Sequence, residues 1–176
     1  MDISKTQNNY IVLNNVRSAY NVGSIIRLCD ALGFDLILQG ITPYPKIEED
    51  TRLPYVQEKI TKLLSKTATE SINNVNIKYF FWEEDVVMHL DELNIPIYCL
   101  ETNIKNSVNV FDLEKKDIKT PFALVAGNEV TGVDEFFLSN CAKCFFVPQY
   151  GKNKSLNVGF ALAVAAYVLK VSPFKR

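Results

Sequence analysis

Between residues 121 and 171 the chain runs through two short apolar strands and a long apolar helix separated only by polar turns, and this stretch restricts the fold more than any other. PFALVAG (121–127) is an apolar run ending in glycine, with Asn128, Glu129, Thr131 and Gly132 at its carboxyl end. The amphipathic segment VDEFFLSNC (133–141) leads to a second apolar strand at 144–149, then to the turn YGKNK and to Ser155-Leu156-Asn157, which opens a helix. The helix itself, VGFALAVAAYVL (158–169), is apolar on nearly every side, so it is expected to be buried on more than one face: by the sheet and by another subunit. Polar residues thus gather at strand ends and at a helix mouth, where open α/β sheets place their ligands.

The preceding chain fits the same class. Residues 10–13 read as a buried strand, and 22–32 as a helix whose Val22, Ile25, Ile26, Cys29 and Leu32 make one inward stripe, with Asn21 as cap and Gly33 as left-handed terminator. Strands are expected at 34–40, 76–82 and 95–101, and helices at 56–70 and 84–93. Residues 41–55, with three prolines, read as a surface loop long enough to carry function or to move. Residues 102–120 read as a loop with a short helical turn. The expectation is an α/β fold with a mostly parallel sheet of six strands flanked by helices, built as a single domain over 1–176 with no separate amino-terminal RNA-binding domain.

Charge and motifs exclude several classes. Nineteen basic against twenty acidic residues give a net charge of −1, so any nucleic-acid contact rests on a local patch. Arg17, Arg27, Lys152, Lys154, Lys170, Lys175 and Arg176 are the candidates, although most of the lysines and terminal residues fit plain solvated surface. No apolar run approaches the ~20 residues of a membrane span and no signal core is present, which points to the cytoplasm. GNEVTG lacks the lysine of a phosphate loop, GxGxxG is absent, and a single histidine, His89, leaves no nucleophilic triad. Cys29, Cys99, Cys141 and Cys144 read as core residues. The Cys141–Cys144 pair lacks the four ligands of a zinc site, with His89 far away, and it leads from a helix end into a strand where a redox pair would open a helix, so neither a metal nor a redox role is expected.

One junction carries a denser signal. Asn15, Arg17, Asn21 and Arg27 fall within thirteen residues at a strand-to-helix turn, a set suited to phosphate or sugar hydroxyls. Glu129 alone would pass for a helix-start carboxylate, and Ser155 alone for a cap.

Together, NVRSAYNVGSIIR (15–27), LVAGNEVTGV (124–133) and FFVPQYGKNKSLNVGFALAVAAY (145–167) resemble the three motifs of the SpoU (TrmH-like) family of SPOUT-class RNA methyltransferases, in order and spacing. The resemblance implies a carboxyl-terminal trefoil knot, a homodimer through that region, S-adenosylmethionine as cofactor, and methyl transfer to a ribose 2′-hydroxyl of tRNA or rRNA. It places cofactor contacts at Gly127, Val147 and Leu156, with Pro148 and Gly151 nearby, and catalytic or substrate positions at Asn21, Arg27, Glu129, Ser155 and Asn157. Gly159 stands where the family often has serine. Two alternatives stay open: a base methyltransferase of the same fold, and a non-catalytic RNA-binding or assembly module that keeps it.

Overall fold

Strand alternation divides this protein into two apolar layers around one sheet. The computed structural model describes residues 8–48, 50–102, 104–114, 117–152 and 155–171; Lys154, Lys175 and Arg176 lie outside them. In chain order the elements are β1 (Tyr10–Asn14), α1 (Ala19–Leu32), β2 (Asp35–Gln39), α2 (Pro54–Ala68), β3 (Ile77–Phe80), α3 (Glu83–Glu92), β4 (Ile97–Leu100), β5 (Val108–Asn109), β6 (Ala123–Ala126), α4 (Glu135–Asn140), β7 (Lys143–Phe146) and α5 (Val158–Val171). The strands form one sheet in the order β3-β2-β1-β6-β4-β7-β5, and every ladder in it is parallel.

That makes seven described strands, not six. The extra one is the two-residue β5, inside the span read as a loop, where Val108 and Asn109 pair with Phe145 and Phe146. Two residues are too few to show a period of two, so no sequence pattern marks it.

Ile11, Leu13, Leu36, Leu38 and Leu124 face α1, α2 and α5; Tyr10, Val12, Ile37 and Val125 face α3 and α4. Val22, Ile25, Ile26, Cys29 and Leu32 are all buried, as the stripe predicts. Each such side chain contributes roughly 1.5–3 kcal/mol by leaving water, so the two layers hold the sheet rigid beneath its loops. β6 slots between β1 and β4, and α5 returns from beyond β7 to pack against α1. No helix among the described residues is long and apolar enough to cross a membrane.

Two helix starts differ from expectation. α1 begins at Ala19, and Ser18, not Asn21, caps it, its Oγ accepting from Asn21 N at 3.3 Å. α5 begins at Val158, and Asn157 is its cap: Oδ1 accepts from Gly159 N at 2.9 Å and the carbonyl from Ala161 N at 3.0 Å. Both changes concern the site, because each alters what an asparagine amide is free to do. Gly33 terminates α1 in the left-handed conformation, φ 63°, as expected.

Candidate functional site

The chain leaves β6 through a tight loop built by Asn128. Its backbone bridges to Gly132 in both directions at 3.0 Å, and its Oδ1 accepts from Val130 N (2.8 Å) and Thr131 N (3.2 Å). Its Nδ2 reaches the carbonyl of Asn15 at 2.7 Å, which ties the loop to the turn after β1. The two glycines are needed for different reasons. Gly132 has φ +76°, and a Cβ on Gly127 would strike the backbone of Gly132 and Val133.

This loop presents Glu129 to the amino end of α1. The carboxylate accepts from Arg17 N (3.0 Å), Ser18 N (3.1 Å) and Asn21 Nδ2 (2.9 Å). Burial pushes its acidity toward the neutral form, but the bonds from the Arg17 amide, its own amide, the Asn21 side chain and the Ser18 amide outweigh that and hold the carboxyl below its usual range. Asn21 Oδ1 in turn accepts from Asn157 Nδ2 at 3.0 Å. Since Ser18 caps α1, the Asn21 side chain is left to bridge Glu129 and Asn157. One hydrogen-bonded line therefore joins β6, α1 and α5, whose residues stand 108 and 136 positions apart.

A second carboxylate supports this line from below. Asp134 Oδ2 accepts from Asn14 Nδ2 (2.8 Å) and Asn15 Nδ2 (2.7 Å), and Asn14 Oδ1 accepts from Asp134 N (2.8 Å). Asn14 is fully buried and also donates to Gln39 Oε1 at 2.8 Å. Among the described residues no buried side-chain polar atom lacks a partner, so these groups act as joints of the scaffold. Sequence reading missed Asn14, Asp134 and Glu101. Their partners are remote in sequence, and only the strand order reveals them.

Beside the line opens a cleft of about 520 Å³, within the ~300–1,000 Å³ common for small-molecule sites. Its floor is apolar, from Leu100, Ala126 and Val147; Glu129, Ser155 and Asn157 stand at the mouth. Gly127 and Leu156 also line it. Glu101 lies on the far wall, its carboxylate accepting from Thr102 N (2.7 Å) and Val133 N (2.9 Å). Of the ten residues singled out by sequence, six line the cleft: Gly127, Glu129, Val147, Ser155, Leu156 and Asn157. Asn21 reaches it through Glu129 and Asn157. Pro148 and Gly151 sit on the loop between Val147 and Leu156 and are not lining residues, and Gly151 has open space around it. Arg27 is exposed on α1, outside the cleft, and makes no hydrogen bond or ion pair among the described residues.

A parallel α/β sheet with a polar-mouthed cleft at the carboxyl ends of β4, β6 and β7 defines an open α/β protein with its candidate site where that class places ligands. Residues 8–167 match the SpoU rRNA Methylase family, and the chain belongs to it. It is 24% identical over 166 residues to the 23S rRNA (guanosine(2553)-2′-O)-methyltransferase RlmP of Bacillus subtilis, covering 94% of this chain and 59% of that protein. Against the tRNA (guanosine(18)-2′-O)-methyltransferase of Aquifex aeolicus the identity is 28% over 170 residues, covering 94% and 70%. The AdoMet-bound rRNA methyltransferase from Sinorhizobium meliloti shares the fold with a TM-score of 0.75 at 22% identity, over 94% of this chain and 56% of that one. The chain therefore spans 59% of the Bacillus relative and 56% of the solved structure. The α/β fold, a parallel sheet flanked by helices, is the one expected from the sequence.

Proposed function

We propose that this protein is a ribose methyltransferase that uses S-adenosylmethionine to methylate a 2′-hydroxyl of tRNA or rRNA. The observation that carries the reading is the line Glu129–Asn21–Asn157, which draws the three motif stretches together at the mouth of one cleft. The cleft suits the cofactor: an apolar floor for a nucleobase, and two carboxylates, Glu101 and Glu129, for a molecule bearing positive charge. Gly127, Val147 and Leu156 would hold it, with Pro148 and Gly151 on the adjoining loop. When bound, it supplies a methyl group already activated by its sulfonium, so transfer itself needs no metal.

The protein's part is then to position the acceptor. Glu129, ionised and engaged by three donors, is suited to anchoring α1 and Asn21 rather than to relaying a proton. Asn157, its Oδ1 committed to the cap of α5, orients Asn21 through Nδ2, and Ser155 faces the ribose at the cleft mouth. A guanidinium is a poor base, so Arg27 binds the phosphate beside the acceptor and stabilises the forming alkoxide, whose proton passes to water at the open cleft mouth as the bond between sulfonium and methyl breaks.

Because Arg27 lies outside the cleft of its own chain, the reading includes a homodimer in which a second copy supplies it. The exposed side of α5 supports this. Phe160 and Tyr167, seven residues apart on one face, are 71% and 46% exposed, as a covered dimer helix would leave them in isolation.

The test is transfer of labelled methyl from S-adenosylmethionine to unmodified tRNA and rRNA transcripts, repeated with 2′-deoxyribose at the labelled nucleotide. Label in the ribose transcript and none in its deoxy counterpart is the expected result. Label in both assigns the acceptor to a base. A protein that neither binds the donor nor labels RNA is the non-catalytic module.

A further inference from the structure

We propose that Cys99, Cys141 and Cys144 form a binding site for one zinc ion, with three thiolate ligands and a fourth position open toward solvent. The site is separate from methyl transfer and does not rest on that reading. It lies on the sheet face covered by α3 and α4, opposite the helices α1 and α5.

The fold assembles it from three places. Cys99 and Cys144 stand directly opposite one another in the β4–β7 ladder, and Cys141 follows the last residue of α4. All three sulfur atoms lie within 4.8 Å of one another. Tetrahedral zinc with bonds of ~2.3 Å needs sulfurs about 3.8 Å apart, so a small contraction completes the geometry. The Cys141–Cys144 pair was poor in ligands by sequence; the sheet register adds a third from 42 residues upstream. Cys99 is fully buried and Cys144 is 8% exposed, while half-buried Cys141 gives the ion its way in.

The Cys99 and Cys141 thiols donate to the carbonyls of Phe137 (3.6 Å) and Leu138 (3.3 Å), bonds that metal ligation would replace. Binding of one Zn²⁺ forms three Zn–S bonds and releases the three thiol protons, so affinity falls as pH falls.

The site has a position that gives it consequence. Two residues beyond Cys99 and Cys144, on the same face of their strands, are Glu101 and Phe146, which line the cleft. A zinc ion here would clip β4, β7 and the end of α4 together directly beneath that wall.

The experiment uses the full chain, reduced and equilibrated with Zn²⁺, then freed of loose metal. Elemental analysis is expected to give one zinc per chain, and Co²⁺ in its place should show intense sulfur-to-cobalt charge transfer. Cys141→Ser should weaken binding by about 100-fold or more, since losing even a partner of a ligand costs ~10–100-fold. Cys29→Ser, in the other core layer, should change nothing. Zinc should also shield the half-buried Cys141 of the unaltered chain from alkylation, a readout that needs no variant to fold. No uptake by the unaltered chain, binding undiminished in Cys141→Ser, or alkylation unaffected by zinc would each overturn the assignment.

Discussion

The loops that leave β2 and β6 make an instructive pair, since both are polar, both start at a strand's carboxyl end, and both are fixed by charged groups. In the first, Arg52 bonds Asp50 through Nε (2.9 Å) and Nη2 (2.6 Å), donates to the carbonyls of Tyr44 and Pro45, and lies 3.5 Å over the Tyr44 ring, which stacks on Tyr79. The Arg52 donors are used within the loop, and Gln57 seals it by donating to the Asp50 and Arg52 carbonyls. In the second, Asn128 shapes its own loop through Oδ1 but sends Nδ2 to the Asn15 carbonyl, the Glu129 carboxylate reaches α1, and the loop borders a cleft. Arg27, a candidate cation of the sequence reading, has no partner among the described residues. A charged group whose bonds are all made inside its own loop is architecture. One held out of every network is available to a ligand, here one in the cleft of a second copy.

The sharpest way to break this contrast is to remove each arginine. Arg27→Ala should lose methyl transfer by about 100-fold or more, the scale of deleting a transition-state donor, while calorimetry shows unchanged affinity for S-adenosylmethionine. Arg52→Ala should leave transfer within about twofold and instead cost about 1–3 kcal/mol in denaturant unfolding, because Asp50 loses its charged partner. A reversed pattern would dissolve the distinction.

Asn157 separates the two roles within a single side chain. Asn157→Ala should lose transfer and also about 1 kcal/mol of stability with the cap of α5. Asn157→Asp keeps the capping oxygen but sets a carboxylate against Asn21 Oδ1, so stability should return in thermal unfolding while activity stays low.

The smallest effect concerns acid. Glu129 has a folded-state acidity below the unfolded value, so the folded protein holds its proton less tightly. Its stabilising contribution is present above the unfolded pKa and is lost as pH falls through the lower, folded one. Carboxyl chemical shifts followed by NMR should show Glu129 titrating below a model peptide, and disruption of the Arg17 and Ser18 amide bonds at the same midpoint.

Much of this was legible in the sequence where the cause is local. The stripe from Val22 to Leu32 and the terminator Gly33 follow from helix period and a left-handed cap, and the residues of the α1 stripe are buried as read. The apolar runs before Asn14, Gln39 and Gly127 mark strands with polar ends. What stayed hidden depends on register. Whether Ser18 or Asn21 caps α1 is decided by Glu129, more than a hundred residues away. Asn14 meets Asp134, and Cys99 meets Cys144, only because β6 enters between β1 and β4 and places β7 beside β4. The closure of residues 41–55 around Arg52 was equally invisible, since three prolines and scattered charges do not show which cation takes which carboxylate.

The proposal that separate turns converge on one reacting centre is tested most directly by a crystal structure of the protein with S-adenosylmethionine bound. The account predicts the donor in the cleft above Leu100, Ala126 and Val147, its methyl group turned toward the Glu129–Asn21–Asn157 line, and Arg27 of a second copy at the mouth. A donor seated elsewhere, or a methyl group that no Arg27 of either copy can approach, would contradict it.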